Sequence, residues 1–265
     1  MRVSKRDLIL RAIIQDYLKF GLPIGSSELQ VKMNLDISPS TIRIYLKKLS
    51  EEGALNQLHV SSGRIPTYSA LENYWNDVIK PMHTLDINNL ELIEESAKEF
   101  GIFCKVEKSA KDLLKEVISV EQRYIILVFQ KNEIILKYSE QVKRFLSNLI
   151  GSDIKELKNI SAQVGLYELH DKLEQLFATS HLLQEGESEL YAIAKEVGNI
   201  NFINLILNSE LVSKLKVGVY FKDFVPSGCM AVKHLATVNG DEASLFCFGK
   251  IESNFEEFLH LTCKS

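Results

Sequence analysis

The sequence predicts an α+β protein in which a small helical domain with a β-hairpin precedes an antiparallel sheet that carries helices on one face. Apolar residues recur at helical spacing through most of the first 53 residues. Predicted strands are then followed by helices and by strands again, an order that suggests one antiparallel sheet with helices on a face, as in an α+β domain. The dipeptide Asn239-Gly240 lies between two such runs and is the preferred turn of a two-residue hairpin.

The segment from Ser38 to Gly53 is predicted to be an amphipathic helix with well-defined ends. Ser38 can cap the first turn, Pro39 suits the first helical position, and Gly53 can take the left-handed conformation that ends a helix. The buried stripe of this helix is formed by Ile42, Tyr45, Leu46 and Leu49. The opposite face carries Ser40, Arg43, Ile44, Lys47 and Lys48. A basic face taken alone usually belongs to a surface helix exposed to solvent, so the flanking segments determine whether this helix binds DNA.

Two helices are predicted in front of this one. The first covers Ser4–Phe20, and the second begins at a cap, Ser26 or Ser27, and ends at Met33. The apolar face of the first helix is formed by Leu8, Ile9, Ala12, Ile13, Tyr17 and Phe20. Residues 34–37 form a tight connection to the third helix, and the last two helices therefore make a helix-turn-helix.

A short β-hairpin is predicted after the third helix. Leu55–His59 is its first strand, Val60–Gly63 its tip and Arg64–Pro66 its returning strand. Pro66 cannot donate a ladder hydrogen bond, so the returning strand should end there or lie at an edge. A hairpin in this position is the wing of a winged helix-turn-helix domain.

These elements predict a surface that binds double-stranded DNA. The start of the third helix would meet base edges in the major groove, its later cations would reach phosphates, and the wing would grip the backbone or the minor groove. The predicted DNA contacts are Ser38, Ser40, Thr41, Arg43, Lys47, Lys48, His59, Ser61 and Arg64. For His59 alone, a structural histidine is the commoner case. Arg64 is assigned to DNA because a cation on a loop of small residues has little to gain from packing.

The charge of the chain is unevenly distributed. The whole chain carries a net charge of -4. Its first 66 residues, however, hold ten Lys and Arg against six acids, and the remainder holds 21 against 29. The attraction for phosphate therefore lies at the N-terminal end.

The rest of the chain is predicted to form a second, larger domain. A helix at Tyr68–Ile79 ends the first domain at Lys80-Pro81, and residues 88–120 have helical spacing that suits a linker and a dimer contact. The strands of one antiparallel sheet are predicted at Tyr124–Phe129, Glu133–Tyr138, Leu215–Phe221, Met230–Val238 and Ala243–Ile251. Because the Tyr124–Phe129 strand is apolar on both faces, both should be covered.

Helices are predicted between these strands. They lie at 140–149, 153–157, 166–179 and 181–210, with a last one at 254–261. The predicted domains are thus 1–80 for DNA binding, 81–120 as a helical linker with dimer contacts, and 121–265 for dimerisation and regulation. Within the last, 166–212 is a possible helical insert.

Other classes of protein are disfavoured by the motifs that the sequence lacks. The four cysteines lie far apart, with no CxxC and no histidine at metal-ligand spacing, so no metal site is expected. No Gly-rich phosphate loop, GxSxG or HExxH occurs, so we expect neither an enzyme nor a cofactor. No apolar run approaches the ~20 residues of a membrane span, and the N-terminus lacks the apolar core of a signal peptide, so a cytoplasmic protein without membrane contact is expected.

Three segments of the N-terminal third resemble the HrcA family of heat-inducible transcription repressors. They are Tyr17–Ser26, Ser38–Arg43 and His59–Thr67, in the order in which that family has them. Ile44 and Val60 stand where the family commonly has Asn and Thr. The resemblance implies a homodimer with a winged helix-turn-helix domain followed by a GAF-like dimerisation domain. It also implies repression of heat-shock chaperone operons through an inverted-repeat operator, CIRCE, with activity modulated by the GroEL chaperonin.

The sequence is therefore compatible with two functions. The first is a dimeric repressor whose two recognition helices enter successive major grooves of a palindromic operator. The alternative is a winged-helix transcription regulator whose C-terminal domain senses a small metabolite. The apolar strands at 124–129 and 215–221 are better explained as core than as a ligand pocket.

Overall fold

The computed structural model describes residues 4–33, 37–57, 63–108, 112–178, 181–198, 200–207, 211–212, 215–222 and 224–263. The chain divides into two compact units. The first contains residues 1–105, 183–240 and 244–265, and the second contains residues 106–182 and 241–243. Both contain helices and strands, which confirms the α+β class. No helix in the described ranges has the length and apolar character needed to cross a membrane.

The N-terminal end of the first unit has the predicted order of elements. They are α1 (Lys5–Phe20), α2 (Ser26–Met33), α3 (Pro39–Glu51), β1 (Leu55–Gln57), β2 (Arg64–Pro66) and α4 (Tyr68–Val78). β1 and β2 are antiparallel, with Leu55 opposite Pro66 and Gln57 opposite Arg64. The core of this N-terminal region consists of Ile9, Ile13, Ile24, Leu29, Ile37, Ile42, Leu46, Leu49 and Leu55.

The apolar face of α1 differs from the prediction. Leu8 and Phe20 are exposed, whereas Ile14 and Leu18 are buried. The buried stripe is rotated relative to the predicted one, because α1 contacts α2, α3 and α4 at once. Spacing along one helix does not show on how many sides it is covered.

Most of a six-stranded sheet lies in the rest of the first unit. Its elements are β3 (Leu85–Ile87), α5 (Leu90–Phe100), β4 (Ile102–Lys108), β8 (His181–Glu185), α9 (Glu187–Val197), α10 (Asn201–Leu207), β9 (Gly218–Tyr220), β10 (Cys229–Val238), β11 (Asp241–Lys250) and α12 (Phe255–Thr262). The strand order is β3-β10-β11-β4-β8, with β9 also paired to β10. The predicted Asn239-Gly240 turn joins β10 to β11, and both of its residues have positive φ, at 52° and 85°. β3 runs parallel to β10. The sheet therefore differs at this strand from the purely antiparallel sheet that was predicted.

The second unit is built on a three-stranded antiparallel sheet. Its elements are β5 (Leu114–Val120), β6 (Tyr124–Phe129), β7 (Glu133–Lys137), α6 (Glu140–Ser147), α7 (Ile154–Gln163) and α8 (Tyr167–Ala178). The predicted hairpin of β6 and β7 and the three helices are confirmed. Ile125, Leu127 and Phe129 of β6 are buried in the core with residues of the helices. Within the single chain the other face of β6 is only partly covered, since the alternate residue Tyr124 is 51% exposed.

The helix predicted over 88–120 is wrong beyond residue 100. Asn89 caps α5, and Gly101 ends it in the left-handed conformation. β4 and β5 follow instead of further helix, and the first five residues of β4 are buried. A strand buried on both faces has no alternation, so its apolar run cannot be told from a helix by periodicity.

The helical stretch predicted over 181–210 is wrong at its start. β8 occupies 181–185 and pairs at the edge of the six-stranded sheet, and α9 and α10 follow it. Of the predicted stripe, Leu190 and Ala194 are buried, while Val197 and Ile200 are exposed. The buried residues pack with Phe103, Phe246 and Phe248 against one face of the sheet. A short edge strand of five residues is too brief to give a clear period in sequence.

Candidate nucleic-acid interface

The start of α3 is fixed by a cluster of hydroxyl groups. The Oγ of Ser38 accepts a hydrogen bond from the amide of Thr41 at 3.3 Å, as expected of an N-cap. The same Oγ lies 2.8 Å from the Oγ of Ser40 and 3.0 Å from the Oγ1 of Thr41. Pro39 occupies the first helical position, where no amide hydrogen is needed. Three of the predicted DNA contacts are therefore held together at the N-terminus of this helix.

α3 has one buried and one exposed face. Ile42, Leu46 and Leu49 are buried in the N-terminal core. The exposed residues on the opposite side are Ser40, Arg43, Ile44, Lys47 and Lys48. Apart from Ile44, the helix thus presents polar and cationic groups outward, which is the arrangement that docking in a major groove requires.

The cations of α3 differ in how they are held. The Nε of Arg43 donates to the Oγ of Ser26 at 3.2 Å, which ties α3 to the first residue of α2. The Nζ of Lys47 lies 3.8 Å from a carboxylate oxygen of Glu51, and the Lys47 side chain is 80% exposed. Exposed ion pairs of this kind contribute little free energy, so Lys47 can exchange Glu51 for a phosphate at small cost. Lys48 is also exposed.

Other cations near α3 are engaged within the protein. Arg6 is hydrogen-bonded to Glu52 and Asp7, and the hydrogen bond to Glu52 is the main cause of its raised pKa. The Nζ of Lys32 lies 2.6 Å from a carboxylate oxygen of Asp16. These pairs engage Arg6 and Lys32 with acids beside the helices.

The β1–β2 hairpin is anchored to the turn between α1 and α2. The amide of Ile24 donates to the carbonyl of Arg64 at 3.1 Å, and the amide of Arg64 donates to the carbonyl of Ile24 at 2.9 Å. Gly63 permits this approach, because a Cβ at that position would lie 2.6 Å from backbone atoms of Ile24. Sequence reasoning missed the roles of Ile24 and Gly63. Glycine beside the hairpin tip was the available signal, but its contact is with a residue 39 positions earlier in the chain.

Arg64 is placed differently from what its sequence context suggested. Its side chain is half-buried, and its Nε donates to the Oγ of Ser50 in the last turn of α3 at 3.2 Å. The argument that a cation here has little to gain from packing is therefore wrong. Its role as a DNA contact stays a prediction. His59 and Ser61, the other predicted contacts of the hairpin, lie outside the described residues.

Comparison with known proteins gives the same family for the N-terminal and C-terminal regions. The family model described as the HrcA C-terminal domain matches residues 75–264. A heat-inducible transcription repressor HrcA of Helicobacter pylori strain J99 is 31% identical over 262 residues, covering 99% of this chain and 96% of the relative. The HrcA of Helicobacter pylori strain 26695 is 32% identical over 256 residues, covering 97% and 93%. The HrcA of Staphylococcus epidermidis strain RP62A is 38% identical over 94 residues, covering 35% and 29%.

Proposed function

Because the chain belongs to the HrcA family of heat-inducible transcription repressors, we propose that α1, α2, α3 and the β1–β2 hairpin form a winged helix-turn-helix that binds operator DNA. The protein is a transcription repressor, as its relatives are, and it is not an enzyme. The observation that carries the proposal is the capped α3, which buries one face and presents hydroxyl groups and then cations on the other. That order matches base edges first and phosphates further along the groove.

Each predicted contact has a role in this arrangement. Ser40, Thr41 and Arg43 read or frame bases, and Lys47 and Lys48 hold the DNA backbone. Ser38 contributes mainly by holding the start of α3. On the hairpin, Arg64, His59 and Ser61 contact the adjacent backbone or minor groove.

The operator is proposed to be an inverted repeat of the CIRCE type in front of heat-shock chaperone operons. A palindromic site matches a two-fold symmetric dimer whose recognition helices lie about one DNA turn, or a multiple of it, apart. The resemblance of Tyr17–Ser26, Ser38–Arg43 and His59–Thr67 to the family supports this choice. A cytoplasmic location follows from this role.

The outward face of the three-stranded sheet is proposed as the contact of the homodimer. The pairing of the strands aligns Ile118 with Ile126 and Ile126 with Ile135, which makes an apolar row across the sheet. Ile135 is 50% exposed, and Tyr124 and Val120 on the same side are exposed as well. Large exposed apolar patches mark interaction sites, because water leaves them when two copies associate.

Residues 1–80 are assigned to DNA binding and the rest to a GAF-like domain for dimerisation and regulation. A GroEL-type chaperonin is proposed to restore the active repressor, so that repression falls when unfolded proteins occupy the chaperonin. The relatives are named heat-inducible transcription repressors, which supports a link between this regulation and heat.

Fluorescence anisotropy with a CIRCE-type inverted repeat and a scrambled duplex of equal length tests this function. We expect binding to the repeat and not to the scrambled duplex, and tighter binding when chaperonin is present. Added salt should weaken binding. The logarithm of the binding constant should fall against the logarithm of the salt concentration with a slope of about 0.9 for each phosphate neutralised. The Lys47→Ala variant should lower that slope by about 1 per subunit. Equal binding to both duplexes, with or without chaperonin, would contradict the proposal.

A further inference from the structure

Ile44 is an apolar side chain at the centre of the outward face of α3. It is 68% exposed. At about 100° per residue it lies about 160° around the helix from Ile42 and Leu46, which point into the core. It is absent from the cluster of buried and partly buried residues that forms the N-terminal core, as far as the described residues show. Packing within the chain therefore does not explain an isoleucine at this position.

The neighbours of Ile44 indicate what meets it. Ser40 lies one turn earlier and Lys47 one turn later on the same face, and Arg43 is adjacent; all are exposed. Cations around an apolar centre draw phosphates to the edges of this face and bring the centre against the floor of the groove. An apolar protein surface would not complement these cations, whereas a polyanion with an apolar group on its floor does.

We propose that Ile44 reads the C5 methyl group of a thymine in each half-site of the operator, an inference that rests on the proposed DNA-binding function of α3. Among the base edges in the major groove, only thymine presents a methyl group, and apolar side chains are its usual partners. The contact removes apolar surface from water on both sides and requires no hydrogen bond. It makes Ile44 a specificity-determining residue beside the polar contacts of Ser40, Thr41 and Arg43.

Replacement of thymine by uracil tests the contact directly, because uracil pairs identically and lacks only the methyl group. The operator is first selected by the wild-type protein from a random duplex pool, and each thymine of the selected site is then replaced in turn. We expect one position per half-site at which uracil weakens binding about fourfold, the equivalent of burying one methyl group, and about 15-fold when both half-sites are changed. In the Ile44→Ala variant the same replacement should change binding by less than about 1.5-fold.

The matched control is Ile200→Ala, which shortens an isoleucine that is 66% exposed and lies outside α1, α2, α3 and the β1–β2 hairpin. This variant should keep both the affinity and the thymine dependence of the wild-type protein. If no inverted repeat is enriched from the pool, the proposed function itself fails. If a repeat is enriched but uracil has no effect at any position, or has an undiminished effect in Ile44→Ala, only the assignment of Ile44 is overturned.

Discussion

At the scale of single residues, the position of the β1–β2 hairpin depends on the absence of one side chain. The backbone of Arg64 bonds to Ile24 in both directions, and Gly63 lies so close to Ile24 that no Cβ fits between them. The hairpin is thereby fixed to the turn that leads into α2. The same contact determines where the hairpin lies beside α3.

The Gly63→Ala variant should destabilise the protein by about 1 to 3 kcal/mol, because the added Cβ forces two backbone segments apart. Chemical denaturation measures the loss. Gly25→Ser is the control, since a Cβ at Gly25 meets no atom within 4 Å and serine is a good cap for α2. Equal stability of Gly63→Ala and the wild-type protein would show that the hairpin moves freely and that the anchor is unimportant.

His234 is a second residue whose surroundings set a measurable property. It lies on β10, is 2% exposed, and neither ring nitrogen has a hydrogen-bond partner in the described part of the chain. Burial lowers its pKa from 6.5 to about 4. The folded protein therefore holds this ring neutral, and protonation favours the unfolded chain.

The free energy of unfolding should consequently decrease as the pH is lowered. Above pH 6.5 both states are neutral at His234 and its contribution is constant; between pH 6.5 and about 4 the unfolded state takes up the proton first, and about 3 kcal/mol is lost. Urea titrations at pH 7.5, 6 and 5 measure this slope. In His234→Leu the slope should be reduced. An identical slope in His234→Leu would assign the pH dependence to other groups.

At the scale of elements, α3 is set by its own first turn. Ser38 supplies the cap, and the hydroxyl groups of Ser40 and Thr41 gather around it. We expect Ser38→Ala to cost about 1 kcal/mol of stability, because the capped amide loses its acceptor. Ser38→Asp keeps an acceptor and suits the helix dipole, so it should retain stability while its charge repels phosphate and weakens DNA binding. Denaturation and anisotropy measurements on both variants separate the two effects, and parallel losses in Ser38→Asp would refute this separation.

The elements also show what the sequence can and cannot predict. The position of α3 follows from local signals, since its cap, its proline and its apolar spacing all lie within 16 residues. The identity of β4 depends on burial from both sides by distant segments, and its apolar run resembles a helix. Arg64 was misjudged for a related reason: Ser50, its partner, belongs to another element. Contacts across the sequence were therefore the part that local pattern could not supply.

At the scale of the whole molecule, charge and apolar surface are separated along the chain. The first 66 residues carry the excess of cations, and the rest carries the excess of acids. An acidic remainder disfavours unspecific contact with DNA outside α3 and the hairpin. The apolar row of Ile118, Ile126 and Ile135 lies in the second compact unit, within residues 106–182. DNA binding and dimerisation are thus assigned to different parts of one chain.

Ile135→Asp should separate the proposed dimer into monomers. The side chain is 50% exposed in the single chain, so the substitution should leave the fold intact, but a dimer would bury two unpaired carboxylates. We expect the dissociation constant of the dimer, measured by sedimentation, to rise at least about 100-fold, corresponding to roughly 3 kcal/mol. Binding to an inverted repeat should then resemble binding to a single half-site. Ile200→Asp, at a position 66% exposed and outside this sheet, should leave the association unchanged. An Ile135→Asp variant that remained a dimer would place the interface elsewhere, because a carboxylate in the middle of an apolar contact cannot keep its water.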